Sequence, residues 1–182
     1  MPAKMAMLCA MSAKVPAWLS IPFIVIADQL SKALIFAWLV NASSPLSAWR
    51  AAEAGIYVAP VQITPFFNIV TVWNTGISFG MLDDTGYNLT YLLIGVALAI
   101  TFGLGIWLWR EQGRLAMAAL ALVIGGALGN LVDRVRLGAV FDFLDFHVAG
   151  YHWPAFNLAD SCVVIGVALL VIDSIVLRST TS

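Results

Sequence analysis

Asp142 and Asp160 are the two residues of this chain whose type and spacing best suit chemistry. They lie 18 residues apart, with Gly150 and Pro154 between them, so the chain can reverse and bring the carboxylates together. Asp142 sits in the apolar stretch Val140, Phe141, Phe143, Leu144, where a charge requires a partner. Asp160 follows Asn157, a residue type suited to cap the helix that the next apolar run predicts. Two carboxylates in a partly dry site cannot both ionise readily, so one keeps its proton. One can then activate water while the other donates to a carbonyl oxygen. Taken singly, Asp160 could instead complement a helix dipole, and Asp142 could be a solvated loop residue.

The stretch Gly125–Asp160 holds four of the ten acidic residues, with Asn130, Arg134, Asn157 and both histidines. Asp145, His147 and His152 could ligate a metal, but their spacing matches no H-E-x-x-H pattern. Beside Phe146, Tyr151 and Trp153 they read as part of an aromatic belt at a membrane interface. Ser161 and Cys162 have no histidine arranged as their base. Further upstream, Asp28 and Lys32 are four residues apart and share a helix face. They form either a self-neutralising pair or, as ionisable groups inside a span, part of a functional site.

The elements that must position these residues are membrane helices. Of 182 residues, 62% are hydrophobic and only 10% charged, against roughly 25% charged in soluble domains; the mean hydropathy is +0.94. A net charge of −1 gives no sign of a nucleic-acid partner. Cys9 and Cys162 suggest small buried hydrophobes rather than a disulfide framework. Four apolar runs approach the roughly 20 residues of a spanning helix: about 16–40, 89–109, 115–130 and 158–177. Asp28 and Lys32 in the first run argue against a cleavable signal core, so a retained helix is expected. Lys4, Lys14, Arg110, Arg114 and Arg178 fall on one side, and Arg50, Arg134 and Arg136 on the other. That bias places both termini in the cytoplasm and the connections 41–88 and 131–157 outside.

The first outer connection divides in two. Residues 41–55 read as loop or short surface helix, and Ile56–Ile63 and Phe67–Trp73 as two short strands. Such backbone belongs at the outer rim, because it cannot face lipid. Gly125 and Gly129 form a G-x-x-x-G, which permits close helix packing under Asn130 and Asp133. The expected fold is an all-α membrane protein with four transmembrane helices, a small extracytoplasmic β-sheet and a loop or short helix at the outer face. All 182 residues form a single domain.

Five blocks then resemble the lipoprotein signal peptidase (signal peptidase II) family: Asp28-Gln29-Leu30-Ser31-Lys32; Phe66-Phe67-Asn68 with Asn74-Thr75-Gly76-Ile77-Ser78-Phe79; Gly125 through Arg134; Val140-Phe141-Asp142-Phe143; and Phe156 through Ser161. The resemblance implies an aspartyl endopeptidase of the bacterial inner membrane, with Asp142 and Asp160 as its catalytic pair at the outer face. Asn74, Asn130, Asp133, Arg134 and Asn157 match positions that support the site, and Asp28 and Lys32 match a block near it. The implied substrate is a prolipoprotein, cut before a cysteine that carries diacylglycerol. A monomer in membrane lipid, with no metal or other cofactor, is expected. The chain departs from the family pattern over 41–65, which is longer, and at Ile77-Ser78. A small ion-coupled transporter or channel is the alternative, although its acids would thread the spans rather than cluster at one face. A non-enzymatic assembly factor would leave Asp142 and Asp160 unexplained.

Overall fold

A computed structural model describes residues 2–76 and 86–179; Ile77-Ser78 and Phe79 lie outside the described residues. The helix α1 (Pro2–Leu39) starts earlier than the first apolar run, and its span-length apolar part is Ala17–Leu39. After it come α2 (Pro45–Glu53), β1 (Val61–Thr64), β2 (Phe67–Asn74) and α3 (Gly86–Arg110). The remainder is α4 (Arg114–Leu137), β3 (Val140–Val148), β4 (Tyr151–His152) and α5 (Leu158–Ser179). Four helices, α1, α3, α4 and α5, are long and apolar enough to cross a membrane.

α4 is the central helix and packs against α1, α3 and α5. It can approach α5 closely because Gly126 has no side chain: a Cβ there would collide with the Ala159 carbonyl. Gly129 similarly admits Asp28, whose Oδ2 would lie 2.8 Å from an added Cβ. The small-residue packing expected of this run is present. α3 and α5 carry exposed Phe102, Trp109, Val164 and Ile175, surface that a bilayer would cover.

The third span does not close at Asn130, as its apolar run suggests. α4 continues through Asp133 and Arg134 to Leu137 and ends on Gly138, whose left-handed backbone (φ 72°) donates to the Arg134 carbonyl. The continuation is favourable because Asp133 is not solvated. It faces α1 and also accepts the Phe141 amide at 3.1 Å. Asp133 and Arg134 are therefore helical residues beneath the sheet, as Asn130 is, and not members of a loop.

At that end of the bundle lies one antiparallel sheet in the order β1-β2-β3-β4. The first expected strand is shorter than its apolar run, Val61–Thr64 in place of Ile56–Ile63, and the second runs to Asn74. The stretch 140–148, which gave no strand signal, is the long strand β3. Its burial does not alternate, since Val140 through Phe143 are all buried. Phe36 from α1, Trp73 from β2 and Phe141 from β3 pack with ring centroids 5.2–5.6 Å apart and tie the sheet to the helices. The segment 41–55 resolves in favour of a helix. Ser44 caps α2 through a reciprocal box with Ser47, Pro45 opens the helix, and Glu53 meets Arg136 of α4 at 3.5 Å.

Candidate functional site

Asp142 and Asp160 reach one site from different elements. β3 pairs with β2 so that Asp142 lies opposite Val72, next to the Asn74↔Val140 pair. Beyond the β3–β4 turn the chain runs back along β3, where Phe156 exchanges backbone hydrogen bonds with Leu144 (2.9 and 3.1 Å). That return delivers Asn157 beside Asp142 and starts α5 one residue later. Asn157 caps α5 as expected. Its Oδ1 accepts the Asp160 amide at 2.9 Å, and Asp160 Oδ2 accepts the Asn157 amide at 3.1 Å. Asp160 is thus both a first-turn acid and half of a capping box.

Both acids are held by amides. Asp142, 1% exposed, accepts Asn157 Nδ2 on Oδ1 at 2.7 Å and Asn74 Nδ2 on Oδ2 at 3.0 Å. Asp160 accepts Asn130 Nδ2 on Oδ1 at 2.7 Å. Asn157 Nδ2 also reaches Asn130 Oδ1 at 3.0 Å, so the carboxylates are joined by two side-chain amides. Asn74 is itself fixed, because its Oδ1 accepts the Gly76 amide at 2.8 Å. Burial pushes the Asp142 carboxyl up to about 6. Hydrogen bonds from Asn74 and Asn157 oppose the rise, and the neighbouring Asp160 charge adds to it.

Beneath this pair is a second, sealed cluster. Lys32 lies 2.8 Å from both Asp28 Oδ2 and Asp133 Oδ2, with all three side chains fully buried. The self-neutralising reading of Asp28 and Lys32 is therefore incomplete, because the ammonium is shared with a second acid on α4. Asp28 also accepts the Ala159 amide at 3.0 Å, tying α1 to the start of α5. Gln29 was not among the expected site residues, yet its Nε2 donates to Asp133 Oδ1 at 2.8 Å and to the Gly129 carbonyl at 3.2 Å. Its sequence signals are a polar residue inside an apolar run and a place in the Asp28–Lys32 block. Asp133 meets Lys32, Gln29 and the Phe141 amide. Arg134 Nη1 lies 3.4 Å from the Asn130 carbonyl, while its buried Nε has no partner.

A third group stands at the outer end of the sheet. Asp145 accepts Asn68 Nδ2 at 2.8 Å and meets His152 Nδ1 at 2.9 Å; His152 stacks on His147 at 4.8 Å. Burial raises the Asp145 carboxyl, but the bonds from His152 and Asn68 outweigh it and leave it below the ordinary value. Among the described residues no group of three or more His, Cys, Asp or Glu is arranged to hold a metal. Exposed Phe146, Tyr151 and Trp153 line one hollow with His147.

Fold and site together define a membrane enzyme with four spanning helices and an acid-bearing polar site at one end of them. A family model described as signal peptidase (SPase) II matches residues 20–176. The lipoprotein signal peptidase of Methylobacterium radiotolerans is 38% identical over 143 residues, covering 79% of this chain and 83% of that protein. The lipoprotein signal peptidase of Burkholderia thailandensis is 41% identical over 165 residues, 87% of each chain. A bacterial membrane enzyme solved by the in meso method superposes with a TM-score of 0.69 at 28% identity, covering 92% of each chain. The chain belongs to the signal peptidase II family and is a multi-pass membrane peptidase. Signal-peptide removal is the activity this membership carries, and the transporter alternative finds no support in it.

Proposed function

We propose that the chain removes the signal peptide from prolipoproteins as an aspartyl endopeptidase, with Asp142 and Asp160 as the reacting acids. The observation that carries this is the shared amide network, which brings two carboxylates from β3 and α5 into one site without a cation between them. Asp160, whose oxygens accept two N–H donors at the start of α5, takes the proton from water. Asp142, pushed up to about 6 by burial, exchanges a proton in the neutral range and donates to the scissile carbonyl oxygen. Water oxygen bonds to the carbonyl carbon, the C–N bond breaks as the carbonyl re-forms and returns its proton to Asp142, and the amine leaves with the proton that Asp160 took from water. Asn74, Asn130 and Asn157 hold the acids in place. Asp28, Lys32 and Asp133 form the support beneath them, and Arg134 has buried donor capacity beside Asn130.

The cut falls before a diacylglyceryl-modified cysteine, in the inner membrane, by a monomer. The basic-residue bias supports cytoplasmic termini and a site at the outer face. A reporter fused after Arg110 should then be active only in the cytoplasm; activity only outside would reverse the orientation. The decisive substrate experiment incubates purified protein in detergent with a prolipoprotein carrying or lacking diacylglycerol, with and without chelator. Mass spectrometry should find a product beginning at the lipidated cysteine, unaffected by chelator. Equal cleavage of the unlipidated form, or activity lost to chelator and restored by zinc, would overturn the reading.

A further inference from the structure

Lys32 touches neither carboxylate of the proposed pair; its charge acts on Asp142 at a distance, and one side-chain oxygen, that of Asn130, links it to both. An ammonium has three donors and no acceptor, and Lys32 directs them at Asp28 Oδ2, Asp133 Oδ2 and Asn130 Oδ1 (2.8, 2.8 and 3.2 Å). Only an oxygen can face it, so the Asn130 carbonyl is turned toward Lys32 and the amide nitrogen is left pointing at Asp160, 2.7 Å away. The same carbonyl accepts Asn157 Nδ2 at 3.0 Å, and that nitrogen reaches Asp142 at 2.7 Å.

We propose that Lys32 is a positioning residue for the carboxylate pair, fixing which end of the Asn130 amide faces Asp160 and which accepts from Asn157. This rests on the reading of Asp142 and Asp160 as the reacting acids. The two ends of an amide are nearly the same size, so shape alone does not fix Asn130, and without the ammonium its orientation rests on Asp160 and Asn157 alone. Turned over, it presents oxygen to Asp160 and repels the ionised carboxylate, and it sets NH2 against NH2 at Asn157. The base form of the pair is then lost at a higher pH.

Removing Lys32 alone would also change the local charge, which Asp28, Asp133 and Arg134 on the helices and Asp142 on β3 all feel. The variant Lys32→Met/Asp28→Asn removes one charge of each sign and leaves the net charge unchanged, while the amide oxygen introduced by Asp28→Asn can still accept the Ala159 N–H. The measurement is the pH dependence of kcat and KM for cleavage of a diacylglyceryl-cysteine peptide by the purified full chain. The expected result is a fall in kcat of tenfold or more near neutrality, KM within about threefold, and an acid limb moved up by about one pH unit, as loss of one charge-assisted hydrogen bond implies. A merely structural role lowers kcat by the same factor at every pH; that parallel drop, or an unmoved limb, overturns the proposal. Should this variant not fold, Lys32→Met/Asp133→Asn keeps the same charge balance and an acceptor for the Phe141 amide, and an unmoved limb there overturns the proposal equally. Turnover by Asp160→Asn would sink the pair itself; an inactive Asp160→Asn with an unmoved limb in the Lys32 variant sinks only the role of Lys32.

Discussion

Two acid clusters meet α4 one helical turn apart, the upper through Asn130 and the lower through Asp133, and they are opposite in character. In the lower one, Asp28 and Asp133 share the Lys32 ammonium, and every donor of that ammonium has a partner. In the upper one, Asp142 and Asp160 meet only amides, and Asp142 is pushed up to about 6. Buried carboxylates alone therefore do not mark a reacting site here. What separates the clusters is a resident cation: with it the acids become a joint between α1, α4 and α5, and without it they are left to the reaction proposed for them.

The largest effect on the molecule as a whole should come from breaking the joint. Asp133→Leu leaves Lys32 short of a partner and the Phe141 amide without its acceptor. Removing one member of a buried ion pair costs about 3–5 kcal/mol, so thermal unfolding in detergent should show a much destabilised protein. Unchanged stability would show that the lower cluster is not structural. Asp133→Asn still accepts the Phe141 amide and should retain intermediate activity and stability.

The same assay on the upper cluster should move the other way. The folded Asp142 carboxyl, at about 6, holds its proton more tightly than at its ordinary 3.8. Its contribution to stability is full below about pH 4 and is lost as pH rises through about 6. Asp142→Asn removes that loss and should be more stable than the parent at pH 7, by on the order of 1–3 kcal/mol. A destabilised Asp142→Asn would remove the contrast between the clusters.

A smaller change is expected at the rim. The Asn74 bond opposes the rise at Asp142, so Asn74→Ala should raise that carboxyl further. The alkaline limb of the pH–rate profile, where Asp142 loses its proton, should move to higher pH. A limb moving down would reverse the assignment of acid and base. Least affected should be Asp145→Asn and Cys162→Ser, which keep most activity because neither touches the pair. An inactive Asp145→Asn would mean that the outer group with His152 takes part in the reaction.

The upper cluster was largely legible in the sequence, and the lower one only by halves. Asn157 precedes an apolar run and Asp160 falls in its first turn, a local pattern that a cap explains without tertiary information. Asp28 and Lys32 are likewise local, at helical spacing. Asp133 is not: its partners lie 101 and 104 positions away in sequence, at Lys32 and Gln29, and among Arg134 and Arg136 it suggested a loop instead of the last turns of α4. The strand β3 was hidden for a related reason. Alternation identifies a strand with one wet face, and Val140 through Phe143 are buried on both. The sheet thus emerged at β2, where β-branched residues dominate, and not at the strand that carries Asp142.

The most direct test of the pair measures cleavage of a diacylglyceryl-cysteine peptide by purified Asp142→Asn, Asp160→Asn and the double variant, with folding and peptide binding followed separately. Asparagine cannot exchange a proton at working pH, and each acid–base step contributes typically 10²–10⁴-fold. Each single variant should fold, bind peptide and lose turnover by at least about a hundredfold. The double variant should be little worse than either, because residues acting as one unit are not additive. Turnover within about tenfold of the parent in either folded single variant would contradict the account.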